Sequence, residues 1–136
     1  ITSSHLGWGT TFNSKNKKTL NGAFTAKKHT AKNFDLYDDN IKYLYKIIAL
    51  CKKNNINIVY ITTPTDKSYY ENLNKIQIEK TIKTITDLVK NNSNCYYLNL
   101  LNSEKFTKED FYDADHLNEI GAKKLSLLLN AEINSQ

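Results

Sequence analysis

The chain contains no arginine: all 19 of its basic residues are lysine. A formal net charge of +5 therefore does not carry a nucleic-acid reading. Guanidinium forks make the bidentate contacts to guanine and phosphate on which specific readout relies, whereas an ammonium is only a point charge. The lysines are also scattered, with no run longer than pairs such as Lys17-Lys18 and Lys52-Lys53, the pattern of solvated helix faces. Long apolar runs are missing as well. Nothing approaches the length that spans a bilayer, and no signal-peptide pattern opens the sequence. Cysteine is scarce: Cys51 and Cys95 lie among apolar or aromatic residues, which predicts buried free thiols. A disulfide between them stays open, and two cysteines decide no compartment. Methionine is absent, so the chain starts at Ile1 without an initiator, which predicts a processed product or an excised piece.

What is present fits 136 residues of one domain at most, or part of one. With 40% hydrophobic and 24% charged residues, the composition is that of an ordinary soluble globular chain. Residues 1–33 hold three of the four glycines, the only tryptophan and many Ser, Thr and Asn residues. They read as an irregular N-terminal arm, or a short hairpin in which Trp8, Thr10 and Phe12 alternate before a turn at "NSKNKK". Residues 34–136 read differently. Ile41, Leu44, Tyr45 and Ile48 recur at helical spacing, with Asp38 or Asp39 as the expected N-cap. "INIVYITT", residues 56–63, is a β-branched run stopped by Pro64 and reads as a buried strand. Ile78, Ile82, Ile85 and Val89 predict a second helix, "CYYLNL" from Cys95 to Leu100 a second strand. Asn118 is the expected N-cap of a last helix that buries Leu125, Leu128 and Leu129.

Strands alternating with helices imply parallel βαβ units. Two strands make a poor parallel sheet, so the sheet is expected to be completed by strands upstream of Ile1 or by another copy of the chain. Ligands of such sheets gather at the carboxyl ends of the strands. The loop from Pro64 to Tyr70 and the loop beyond Leu100 should both open there.

The second loop carries "FYDADHLNEIGAKKLS", with two aspartates and a histidine within four residues. In Asp113-x-x-His116 a carboxylate accepting from one imidazole nitrogen sets the tautomer and leaves the other nitrogen free as a general base for a serine hydroxyl. The competing reading is a polar turn whose histidine packs under the helix. Asp115 reads as a turn or helix-dipole residue. A metal site from Asp113, Asp115 and His116 is the other alternative, but a single short loop without a second ligand cluster argues against it. His5 and His29 stand in polar surroundings without a spaced partner and read as surface histidines. Trp8 between Gly7 and Gly9 is either a stacking platform for a sugar or a buried anchor of the arm. Tyr69-Tyr70 and Tyr96-Tyr97 should each divide between core and rim.

"DADHLNEIGAKKLS", Asp113 to Ser126, resembles the last block of the SGNH (GDSL-like) hydrolases, and "NINIVYITTPTDKSYY" resembles the strand and loop that precede it there. The resemblance covers about residues 38–130. It implies an α/β fold, a three-layer α/β/α flavodoxin-like sandwich around a parallel sheet, with only the C-terminal half present. It implies an esterase or acylhydrolase acting on O-acyl (acetyl) groups of carbohydrate. His116 would be the general base and Asp113 its orienter, and Gly121 and Ala122 would let the last helix approach the sheet. No metal or organic cofactor is required by that mechanism. The Gly-Asp-Ser nucleophile block is not found, nor is a Gly-x-Asn-Asp segment. Ser3 and Ser4 have the right chain order but no strand before them. The expected serine therefore lies outside this chain. A carbohydrate ester is the expected substrate, with neither nucleic acid nor a membrane span, and with a bacterial origin in which envelope and cytoplasm both stay open. A non-catalytic carbohydrate-binding or scaffold module on the same fold is the alternative.

Overall fold

The computed structural model describes residues 3, 5 and 9–134. Trp8 and Ser4, singled out above, lie outside the described residues. Two strands, β1 (Ile58–Thr62) and β2 (Cys95–Asn99), pair in parallel with Ile58 opposite Cys95 and Thr62 opposite Asn99. The sequence expectation of parallel neighbours holds. Between them the chain crosses over through α3 (Lys67–Tyr70) and α4 (Lys75–Lys90). Before them come α1 (Gly22–His29) and α2 (Tyr37–Lys53), and α5 (Glu119–Asn134) closes the described chain. The protein is thus a mixed α/β structure. No helix among the described residues is long and apolar enough to cross a membrane.

Each boundary has a local cause. Asn55 takes a left-handed φ of 55°, which Asn tolerates better than most residues, and turns the chain off α2. There the Asn55 amide donates to Lys52 O and the Ile56 amide to Cys51 O, the paired bonds of a Schellman ending. Asn74 caps α4 by accepting from the Gln77 amide at 2.9 Å. The start of α2 departs from expectation. Its cap is Leu36, with no side-chain cap bond, and Asp38 and Asp39 fall in the first turn. The hydroxyl of Tyr37 bonds Thr84 on α4, so a tertiary contact draws the helix start forward and leaves the aspartates to act on the helix dipole.

The arm is corrected too. Within residues 1–33 the structure places α1, capped by the Asn21 side chain on the Phe24 amide. The helix holds because its one small face, Gly22 and Ala26, is buried; a Cβ on Gly22 would stand 2.1 Å from the Ser68 carbonyl carbon.

Two apolar clusters lie on the two faces of the sheet. Ile48, Leu88 and Cys95 form one with Leu44, Ile58, Tyr60, Ile85 and Val89; Leu100, Phe106 and Phe111 form the other with Leu20, Leu98, Leu117, Leu125 and Leu128. Cys95 and Leu98 have opposite parity on β2, so α2 and α4 cover one face and α5 covers the other. Both cysteines are free, and burial pushes the Cys95 thiol up, which leaves it inert as a nucleophile. Tyr69 is half-buried and Tyr70 exposed, as expected, but Tyr96 and Tyr97 are both half-buried because helices cover both faces of β2.

Candidate functional site

The loops after β1 and β2 meet at the carboxyl edge of the sheet. Thr65 donates through its amide and hydroxyl to Leu101 O at 3.3 and 3.0 Å, and the Asp66 amide donates to Ala114 O at 3.0 Å. Buried Asp66 in turn caps α3, accepting from the Ser68 amide and hydroxyl. The segment Phe111–Leu117 is closed on itself by an antiparallel bridge between its ends and by the Tyr112 amide donating to His116 O at 2.9 Å.

Asn118 locks this loop onto α5. Its Oδ1 accepts from the amides of Ile120 and Gly121, and its Nδ2 donates to Glu109 O at 2.7 Å. The residue itself is fully buried, so these bonds supply the partners that water does not give its amide. The expected N-cap is therefore present, with a second task in holding the preceding turn. Gly121 is corrected in its partner: a Cβ there would lie 2.2 Å from Asp110 O, so the glycine admits the turn at Lys108–Asp110, not the sheet.

On this loop Asp113 Oδ1 accepts from His116 Nδ1 at 2.8 Å and from the His116 amide at 2.9 Å. A carboxylate has no proton to give, so Nδ1 carries the hydrogen and Nε2 is the bare nitrogen of the neutral ring. The His116 side chain is 52% exposed and that of Asp113 22%. The two residues that the sequence paired are brought together, and the competing picture of a histidine packed under the helix is excluded by that exposure.

Asp115 is more than a turn residue. Its side chain is 16% exposed, with Oδ1 3.4 Å from His116 Nδ1 and Oδ2 3.7 Å from His29 Nδ1. Burial pushes its carboxyl above the usual carboxylate range; His116 pulls it down, Asp113 adds to the rise, and His29 pulls it down again. His29, read from sequence as an unpartnered surface residue, also shares a 3.0 Å hydrogen bond with the Tyr69 hydroxyl. Burial raises the Tyr69 phenol, and the charge of Asp115 raises it further. Phe12 stacks on the His116 ring. His29, Tyr69 and Phe12 escaped sequence reasoning because each comes from a different segment and none has a local spacing to betray it.

Asp113, Asp115 and His116 each offer one ligand atom within 4.8 Å of the others. In the structure these groups satisfy one another, with Nδ1 placed between two carboxylates. Among the described residues no serine hydrogen-bonds His116; Ser3 forms an isolated bridge to Gly9.

A family model described as "Protein of unknown function (DUF1574)" matches residues 5–120. No curated protein and no solved structure matches the chain. The SGNH resemblance is thereby corrected: the family model that matches most of the chain is a different one. The geometry gives the reason the motif misled, because Asp113 is required by the turn itself, where it accepts the amides of Asp115 and His116. The match spans most of the chain, which therefore belongs to the DUF1574 family of proteins of unknown function.

Proposed function

We propose that Asp113 and His116 are the orienter and general base of an ester hydrolase or O-acyl-transfer protein. The observation that carries this reading is the Nδ1–Asp113 hydrogen bond of 2.8 Å on a half-exposed ring. It leaves Nε2 as a base with its tautomer already set. The reaction it suits begins with a serine from outside the described residues. The serine Oγ attacks the ester carbonyl as its proton passes to Nε2, and Asp113 supports the imidazolium so formed. The proton then goes to the leaving alkoxide as the C–O bond breaks. The acyl group is released to water or to an acceptor hydroxyl by the same steps in reverse order. Helices on both faces of a parallel sheet, with the dyad at its carboxyl edge, also support a three-layer flavodoxin-like arrangement as part of this proposal. Acetylated carbohydrates are the first natural substrates to test; activated acetate esters are the first synthetic ones.

The chain of residues 1–136 by itself should hydrolyse an activated acetate no faster than free imidazole. In a protein that also supplies the serine, His116→Ala should lower kcat/KM by about a thousandfold or more, because base and nucleophile act as a unit. Asp113→Asn should also be damaging, because it disturbs the tautomer. Esterase activity indifferent to His116→Ala would overturn the proposal, whereas a protein with the serine in place that binds acetylated carbohydrate and turns over no ester would favour a binding module.

A further inference from the structure

Phe12 stands outside the dyad, on the segment that precedes α1. Its ring lies 6° from parallel to the His116 imidazole, with centroids 5.2 Å apart, and meets Tyr112 edge-on at 4.9 Å and 80°. The segment that carries Phe12 is held on both sides of His116. The Lys18 amide donates to Tyr112 O at 2.8 Å, and Lys17 Nζ donates to Lys108 O. On the other side, the Ser14 amide and hydroxyl donate to the Glu119 carboxylate at 2.8 and 2.5 Å.

The carboxylates of Asp113 and Asp115 beside Nδ1 hold one corner of the ring and leave a half-exposed imidazole free to tilt about it. A flat ring parallel to it removes that freedom, since any tilt breaks the stacking contact. We infer that Phe12 is a positioning residue: clamped through Ser14–Glu119 and Lys18–Tyr112, its ring holds the imidazole plane so that Nδ1 stays on Asp113 and Nε2 stays presented to substrate. The inference rests on the general-base reading and adds a specificity consequence to it. Phe12 closes one face of the imidazole, so an ester must come in from the Nε2 edge on the uncovered side.

The test uses Phe12→Leu, which keeps apolar bulk without a flat ring, beside Phe12→Ala and Phe12→Tyr, with circular dichroism confirming that each variant is folded. Nitrogen-15 NMR of the neutral His116 ring reads the tautomer without any turnover. Wild type and Phe12→Tyr should hold the proton on Nδ1, while Phe12→Leu and Phe12→Ala should move toward the mixture of a free imidazole. In a protein supplying the serine, Phe12→Leu should lower kcat about tenfold with KM little changed, and Phe12→Tyr should restore it. An unchanged tautomer in both Phe12→Leu and Phe12→Ala overturns the inference, whatever the rate. Esterase activity that survives His116→Ala overturns the general-base reading instead, and the tautomer measurement still decides the role of Phe12.

Discussion

His29 Nδ1, at the end of α1, lies 3.7 Å from Asp115 Oδ2, so a single carboxylate stands between two imidazoles, those of His29 and His116. The arrangement places a poorly solvated acid at the centre of the site. Such a group costs stability when it ionises, which is typical of residues kept for function and not for folding.

Asp115 should therefore destabilise the fold at neutral pH. Its carboxyl is raised in the folded chain, first by burial. Below the ordinary carboxylate pKa both states are protonated and the residue has no effect. As pH rises, the unfolded chain ionises first, so stability falls until the raised folded value is passed, and the cost persists above it. Asp115→Asn should leave the melting temperature near wild type in acid. At neutral pH it should raise it by a few degrees, for on the order of 1 kcal/mol. Thermal denaturation at both pH values checks this, and a lower neutral-pH melting temperature for the variant would show that its ion pairs outweigh its burial.

Asp110 presents the opposite sign. Burial pushes its carboxyl up, but the hydrogen bonds from Lys124 at 2.5 Å and from the Thr107 amide outweigh burial and hold it below the usual range. The stability it contributes is present above the unfolded carboxylate pKa and is lost as pH falls through the depressed folded value. Lys124→Met should cost about 2 kcal/mol at neutral pH. That is less than a fully buried pair because the lysine is 39% exposed. Urea denaturation should show the difference shrinking in strong acid.

Gly121→Ala should be among the most damaging single-methyl substitutions. The added carbon would meet Asp110 O at 2.2 Å and Leu117 Cδ2 at 2.8 Å, and the backbone oxygen cannot yield without moving the turn that precedes the dyad. A loss of about 2 kcal/mol or more is expected. A Gly121→Ala protein as stable as wild type in denaturant titration would mean that this turn is not closely applied to α5.

Tyr60→Phe should be neutral or stabilising. The Tyr60 hydroxyl is buried without a hydrogen-bond partner, and burial raises its phenol. Deleting an unsatisfied buried hydroxyl removes a desolvation penalty of about 1 kcal/mol or more. Destabilisation on that scale would instead reveal a partner for the oxygen.

Local chemistry was enough for a good part of this molecule. The β-branched run before Pro64 and the apolar run from Cys95 specify strands, and the helical spacing between them requires a crossover, which makes the pair parallel. Asn118 announces the start of α5 because an N-cap is a bond between near neighbours. Asp113 and His116 meet for the same reason: three residues across a turn are close in any fold that keeps the turn. The same locality made a short block resemble the signature of a family other than the one that the chain matches. Tertiary structure alone decided the rest. Nothing near His29 in the chain predicts Asp115 or Tyr69, and nothing near Phe12 predicts an imidazole. Those contacts join α1, α3, the arm and the loop after β2, segments far apart in the chain that only the fold brings together. Short-range pattern follows from the periods of helix, strand and turn. Which distant side chains share a site follows from how the finished layers exclude water, and no spacing in the chain records it.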